Sequence, residues 1–464
     1  MPVFLNIIGL LLFIKLFLFW LWLWQLKEYH IGRFLAHFET QAITKIISSF
    51  WRIKLPKFTG KTAVIFISEI IAATALSLYF KFAILFLILF APVFSSAIVL
   101  LFQIPTVFLR NRIIKKAKIK IRQFPNLLVI GITGSYGKTS TKEFLYSILS
   151  EKFKNKVLKT KEHQNSEIGI SQCILADLEQ EHEIFIVEMG AYNRGGIKML
   201  CDIVRPKIGI LTGINEQHMS TFGSLENIIK GKYELIESLP ADGVAFFNAK
   251  NKYCLELYNE TLRRLPVKAI LYGQNATFFG EENILGAMAA AKELGMADAE
   301  IKAAVDRIEN KMPGIKIKEG IGGLKIIDAT YSANPDGVIA NLEYLKNNFS
   351  GKKIIVMPCL IELGKASKEV HTRIGKKIGE VCDLAIITTK DYFKEIKEAA
   401  FASAIAEAMA GKEATASQRK PEILFLENPK EIFAKIMGVV KEGDAVLLES
   451  RVPKEVVEQL TGSS

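Results

Sequence analysis

Residues 127–144 read LLVIGITGSYGKTSTKEF, an apolar run, then a turn carrying Gly134 and Gly137, then Lys138, Thr139 and Ser140 opening an amphipathic stretch. A run that is apolar at every position has no face to give to water, so it belongs inside a sheet covered on both sides by helices. The glycine turn leaves backbone N–H groups unpaired at a helix start, where the helix dipole also favours negative charge. A lysine adds a point charge and a hydroxyl can ligate Mg2+, so the segment is suited to holding phosphate. The widespread GxxxxGK[ST] spacing is not kept, because Ile132 stands five residues before Gly137; the glycine partner is Gly134, giving GxxGKT. Gly134, Ser135, Tyr136, Gly137, Lys138, Thr139 and Ser140 are therefore candidate contacts to a nucleotide.

After Pro125 short apolar runs alternate with amphipathic segments, the pattern of an α/β fold with a mainly parallel sheet. Candidate strands are LLVIGI, IFIVEM, KIGILT and GVAFFN, and later KIIDAT, KKIIVM, LAIITT and AVLLES. The helix-rich stretch from Glu282 to Lys311 closes the first series, and a new series from Ile315 predicts a second, Rossmann-like domain. The 464 residues have room for two or three domains, with expected boundaries at 1–122, 123–312 and 313–464. Open α/β sheets place ligands beyond the C-terminal ends of their strands. Glu188 closes IFIVEM at such an end, where a carboxylate is costly unless it meets a cation.

The first 122 residues read differently. Val3 to Trp24 is nearly all apolar, and as a helix rising ~1.5 Å per residue it would cross the ~30 Å hydrocarbon layer. Trp20, Trp22, Trp24 and Lys27 at its end resemble an interfacial belt. Ala63 to Leu109, interrupted by Glu69 and Lys81, predicts two more helices turning near Lys81. The expected all-α transmembrane region thus has helices at 3–24, 63–80 and 83–109, with the bilayer as a partner. Basic residues between Lys27 and Lys61 and from Arg110 to Arg122 place both segments in the cytoplasm, the N-terminus outside, and everything after Arg110 inside.

That placement also accounts for the net charge of +12, which would otherwise suggest a nucleic-acid partner. No interleaved basic and aromatic motif of the RNA-binding kind is present, so nucleic acid is not expected. The five cysteines are scattered without a CxxC pair or a histidine at metal spacing, which fits reduced thiols in a cytoplasmic compartment.

TGSYGKTS resembles the ATP loop of the Mur ligase family, which shares a fold with folylpolyglutamate synthases. HQNSEIGIS, IFIVEMGA, NEQHMSTFGSLENIIKGKYEL and GVAFFNAKN follow in the family's order and are similar to its D-alanyl-D-alanine-adding, MurF-like branch. The similarity runs from about Ile130 to the C-terminus, about seventy per cent of the chain. It implies a P-loop central domain and a Rossmann-like C-terminal domain in a bacterial ATP-dependent ligase that forms amide bonds for peptidoglycan. By the same resemblance Thr139, Glu188, His218 and Lys232 hold Mg2+, as two ions, with Lys232 carbamylated; Lys138, Glu188, His218 and Lys232 form the catalytic set. Asn248, Asn283 and Asp328 join the nucleotide contacts, and Tyr331 and Asn334 in IIDATYSANPDG the substrate contacts, with IELG and His371 as the next family segment. An Asn-Pro helix start is the plainer reading of YSANP.

The implied chemistry is attack of a substrate carboxylate on the γ-phosphate of ATP, giving an acyl phosphate and ADP, then attack of an amine such as D-alanyl-D-alanine on the acyl phosphate. The chain departs from the family in four places. Apolar helices stand where the family has its UDP-sugar domain, and the stretch between LYGQ and GEEN is short, with Glu282 in place of a histidine. Lys250 replaces an aspartate and Ile315 an arginine. A lipid-linked or other envelope carboxylate is thus the alternative substrate, and a noncatalytic ATP-binding membrane scaffold the alternative role.

Overall fold

The structure is a computed structural model and describes residues 2–26, 29, 34, 54–79, 83–276, 280–308, 316–330, 334–409 and 421–462. The expected turn near Lys81, the basic residues Lys27, Arg33, Lys45 and Arg52, and the sites Ile315 and Tyr331 lie outside these residues. Two compact units form, Met1–Lys115 and Lys116–Ser464.

The larger unit contains two six-stranded sheets. The first has β1 (Leu128–Thr133), β2 (Val157–Lys159), β3 (Ile184–Glu188), β4 (Ile208–Leu211), β5 (Val244–Asn248) and β6 (Lys268–Tyr272), in the order β2-β3-β1-β4-β5-β6 and parallel throughout. The second has β7 (Lys316–Glu319), β8 (Lys325–Ala329), β9 (Lys353–Met357), β10 (Leu384–Ile387), β11 (Glu422–Phe425) and β12 (Ala445–Glu449), in the order β11-β10-β9-β12-β8-β7. Only β7 runs antiparallel, against β8.

Ile130 and Ile132 on β1 are fully buried against Phe144, Leu145 and Ile148 of the helix Lys138–Phe153 and Ala287 and Ala290 of the helix Glu281–Glu293. On the opposite face Gly131 lies so close to the Leu235 side chain that an added Cβ would come within 2.8 Å of it. β1 is thus covered on both sides, which is why its sequence shows no polar alternation. From β1 the chain moves outward to β2, returns to β3, and then crosses to β4 on the other side of β1. The loops leaving β1 and β4 part at that switch, opening the crevice where such sheets bind ligands.

The second sheet is sandwiched in the same way, between Leu342, Val370, Ile374 and Ile396 on one face and Ile432, Ile436, Val456 and Leu460 on the other. Glu449 ends β12 with no exposed surface; its Oε2 accepts a hydrogen bond of 2.8 Å from Asn341 Nδ2, while Oε1 has no hydrogen-bond partner among the described residues. Burial, opposed only by that bond, pushes its pKa up to about 8. The unfolded chain therefore releases this proton at lower pH than the folded one, and folding stability falls as pH rises from about 4.5 to about 8. Glu449→Gln should remove a loss on the order of 3 kcal/mol across that window. Urea titrations of both proteins at pH 5 and pH 8 measure it, and equal pH slopes would count against the assignment.

The smaller unit corrects the membrane reading. Helices Pro2–Leu26 and Gly60–Tyr79 lie where the first two were expected, but the third breaks at Phe90 and Phe102 into Ala83–Leu89, Ala91–Leu101 and Gln103–Ile121. Phe102 keeps a helical backbone, however, so 91–121 runs on as one helix; among the described residues it alone is long and apolar enough to cross a membrane, and Leu11–Leu26 is a shorter apolar stretch. The three-crossing, multi-pass membrane localisation with an outside N-terminus is overturned, and the bilayer as partner finds no support. Hydropathy counts apolar residues without seeing what they touch. Here Phe13 and Phe17 are buried against Ala73, Leu87 and Ala91, and Leu21, Leu23 and Trp24 against Ile65 and Val99. Glu69, which interrupts the second run, is buried and accepts a hydrogen bond of 2.6 Å from Ser95 Oγ.

Candidate functional site

The loop after β1 closes by backbone contacts that only glycine permits. An added Cβ on Gly134 would strike Thr212 Oγ1 and come within 2.9 Å of the Gly213 carbonyl oxygen, and Gly137 has φ 78° at the start of the helix Lys138–Phe153. A Cβ on Gly137 would also meet Asn283 Oδ1, an oxygen that accepts from Thr141 Oγ1 at 3.4 Å. Ser135 N donates to Gly213 O at 2.6 Å, and Thr212 Oγ1 donates to the Tyr136 carbonyl, so the loop is clamped onto the end of β4. Asn248 is fully buried at the end of β5 and donates to Thr212 O at 2.7 Å, a supporting position behind that clamp.

Lys138 Nζ reaches back over the loop to Gly134 O at 2.8 Å and Ser135 O at 3.3 Å. Burial lowers its pKa, and the Glu188 charge opposes that. Ser140 follows in the first turn of the helix. Glu188 arrives from the end of β3, 5% exposed; Thr139 Oγ1 donates to its Oε2 at 3.0 Å, and Asn165 Nδ2 to its Oε1 at 3.1 Å. Lys142 Nζ, with no exposed surface, lies 3.2 Å from Glu188 Oε2. Burial pushes the Glu188 carboxyl up, but the Lys138 and Lys142 charges and the Asn165 bond outweigh it and hold the group below its usual range.

His218, in the loop after β4, has Nδ1 2.6 Å from Glu362 Oε2 and stands edge-on to Tyr192 with ring centroids 5.0 Å apart. Burial lowers its pKa; the Glu362 bond raises it, and Lys232 and Lys138 lower it further. Lys232 lies on the buried face of the helix Leu225–Glu237, its Nζ 3.5 Å from the Ala191 carbonyl. Burial first, then Lys138, lowers its pKa to about 7, so it is a largely neutral amine above neutrality. Of the four expected catalytic residues, Lys138 is the one whose charge acts on each of the others, Glu188, His218 and Lys232.

Beside the loop lies a cavity of about 480 Å³ lined by Tyr136, Asn215, Lys250, Asn251, Glu282, Asp336 and Arg373 among others. Both departures at Lys250 and Glu282 thus face this cavity, where Glu282 Oε2 accepts from Gly280 N at 2.7 Å. Asp336 and Arg373 come from the second sheet's side. Asn215 Nδ2 donates to Asn334 Oδ1 at 3.0 Å and to Asp336 Oδ2 at 3.1 Å, and the Arg373 guanidinium pairs with Glu216 at 3.2 and 3.4 Å.

Three expected residues are placed elsewhere or otherwise engaged. Asp328, one residue before the end of β8, is held by Lys318 Nζ at 2.9 Å and Thr330 Oγ1 at 2.7 Å, and it does not line the cavity. Asn334 caps the helix Pro335–Asn348 by accepting from Gly337 N at 3.0 Å, as an Asn-Pro start predicts. His371 is buried as a structural residue, its Nε2 accepting from Leu360 N at 2.9 Å and its ring stacked on Tyr392. The sequence reading missed Asn165, Lys142, Glu362 and Arg373. Asn165 and Glu362 stand inside quoted family segments, while Lys142 and Arg373 look like ordinary solvated helix residues.

The sequence pattern of the Mur ligase middle domain matches residues 132–305, and that of the Mur ligase glutamate ligase domain residues 315–451. A UDP-N-acetylmuramoyl-tripeptide--D-alanyl-D-alanine ligase from Synechocystis is 31% identical over 55% of this chain and 60% of its own length. The chain spans about 60% of the length of the curated relatives it matches first. Among solved structures, MurF from Acinetobacter baumannii is similar in fold with a TM-score of 0.62 at 21% identity, covering 75% of this chain and 80% of that one. MurF from Thermotoga maritima, solved in complex with ADP, gives a TM-score of 0.58 at 24% identity, covering 76% and 83%. With two matched domains in order on two sheets of that fold and the Gly134–Thr139 glycine loop at the switch of the first, the chain belongs to the Mur ligase family.

Proposed function

We propose that this chain is an ATP-dependent, ADP-forming ligase of the MurF kind, which joins an amine such as D-alanyl-D-alanine to the carboxylate of a UDP-linked muramoyl tripeptide. The observation that carries the reading is the pairing of the Gly134–Thr139 loop with Glu188 across the crevice, beside a cavity of about 480 Å³. The acid and the amine are those that the relatives' names specify. In this reading 123–312 is the ATP-binding domain and 313–464 the domain that brings the amine, with Tyr331 and Asn334 as the substrate contacts the family resemblance implies.

Among the described residues no three His, Cys, Asp or Glu side chains converge on a metal site. Mg2+ does not require such a cage, because it keeps several waters and takes phosphate oxygens together with one or two protein ligands. The Thr139 hydroxyl and Glu188 carboxylate, 3.0 Å apart at a phosphate loop, fit that demand, with His218 and Lys232 as further ligands. Bound there with the nucleotide, Mg2+ would neutralise charge on the β- and γ-phosphates. Lys232 as a largely neutral buried amine is the form that adds CO2, and carbamylation would turn it into an anion suited to the same site.

The residues then divide the work. Amides at Gly137–Thr139, where the helix starts, hold the phosphates and Lys138 offsets the charge that develops as the substrate carboxylate attacks the γ-phosphate and ADP leaves. The amine attacks the acyl carbon, phosphate leaves, and one proton is released. The Asn215, Asn334 and Arg373 contacts close the crevice and exclude water that would hydrolyse the acyl phosphate. Incubating the purified full chain with ATP, Mg2+, UDP-MurNAc-tripeptide and D-alanyl-D-alanine should give ADP and amide in equal amounts. ATP binding without acid- and amine-dependent ADP release would overturn the ligase reading in favour of a scaffold.

A further inference from the structure

His218 and Glu362 approach from different sheets of the larger unit, one after β4 and the other after β9, and both have left-handed backbone, φ 67° and 65°. A non-glycine residue there costs on the order of 1–3 kcal/mol and persists only where its surroundings impose it. Those surroundings are built on both sides. Ser220 N donates to the Glu362 carbonyl at 3.2 Å, and Gly364 packs so closely that an added Cβ would lie 3.1 Å from the Ser220 backbone. The buried His371 fixes Leu360, two residues before Glu362. The outcome of this local strain is the 2.6 Å contact between Glu362 Oε2 and His218 Nδ1.

An ionised carboxylate can only accept, so the proton of a neutral imidazole must sit on Nδ1, leaving the Nε2 lone pair outward. We propose that Glu362 is a positioning residue lent by the second sheet's lobe to the first: it fixes His218 as the Nδ1–H tautomer with Nε2 ready to ligate a divalent cation, so the metal centre is completed only when the two lobes are docked. This rests on the reading of His218 as a metal ligand under Proposed function. A cation on Nε2 makes the Nδ1–H a stronger donor to Glu362, so cation binding and lobe docking favour each other by the same factor.

The test uses the full chain and two readouts. Nitrogen-15 NMR of the metal-free protein, with the His218 signal identified by its loss in His218→Ala, should show the Nδ1–H tautomer in the wild type and a shift toward Nε2–H in Glu362→Ala. Electron paramagnetic resonance titration with Mn2+ and a nonhydrolysable ATP analogue should show roughly tenfold weaker binding at one site in Glu362→Ala. Glu362→Gln keeps the shape and an acceptor oxygen, so it should recover much of both signals even if the alanine variant perturbs docking. An unchanged tautomer in Glu362→Ala overturns the proposal, as does wild-type Mn2+ affinity in Glu362→Ala when His218→Ala binds more weakly. Wild-type Mn2+ binding by His218→Ala would instead overturn the metal role of His218 itself.

Discussion

Lys138→Ala should lower ADP release by about 10²–10³-fold, the loss typical of removing one preorganised donor from developing charge, while changing thermal stability little. The two effects separate because of where Nζ sits. Among the described residues it bonds only to carbonyls of its own loop, Gly134 O and Ser135 O, in a partly exposed position. Burial lowers its pKa, so deleting the ammonium also removes a desolvation cost, and the two changes largely offset in stability. In catalysis nothing offsets the loss, since Lys138 is the one side-chain cation carried by the glycine turn and its first helical residue. Lys138→Arg should recover little, because a planar fork cannot replace a compact point charge in a loop this tight. A coupled ADP assay measures the rate and calorimetry with an ATP analogue the binding. Normal turnover in Lys138→Ala would remove the phosphate loop from the mechanism.

The sequence marked this loop because its signal is local: glycines, lysine and hydroxyl lie within a few residues, and their geometry follows from one strand and one helix. The same locality explains which strands could be read. The eight expected strands are β1, β3, β4, β5, β8, β9, β10 and β12, the inner strands of the two sheets. Covered on both faces, they are apolar almost without interruption. β2, β6, β7 and β11 are the four sheet edges. KIKE in β7 alternates with charged residues and EILF in β11 opens on a glutamate, so neither shows the uninterrupted apolar run of the inner strands. The N-terminal helices failed in the opposite direction: apolar composition was plain in the sequence, but whether it serves a bilayer or other helices depends on contacts such as Phe17 with Phe94, which composition does not encode. The site shows the same division. Glu188 and Thr139 could be anticipated from motif positions, whereas Glu362 meets His218 across 144 residues of sequence, and only the fold brings them together.

Lys142 is the sharpest example of a residue whose role is set by a distant strand, and it carries the second large prediction. Glu188→Ala should destabilise the chain by about 3–5 kcal/mol, beyond abolishing ADP release, because it strands a buried ammonium. Lys142 has no exposed surface and no hydrogen-bond acceptor among the described residues; its charge is met by Glu188 Oε2 at 3.2 Å and Glu143 Oε1 at 3.4 Å. Glu143 is itself engaged by Lys159, so it compensates Lys142 only in part. Replacing the cation with an apolar side chain of similar volume should therefore rescue folding: Glu188→Ala with Lys142→Met is expected to regain most of the lost stability in urea titrations. It should regain none of the ADP release, since the carboxylate beside Thr139 is still missing. If the double variant were no more stable than Glu188→Ala, the destabilisation would come from the emptied strand end rather than from Lys142. Rescue of stability without rescue of turnover would show that one carboxylate serves two cations in turn: the lysine that lets it be buried, and the divalent ion for which the burial prepares it.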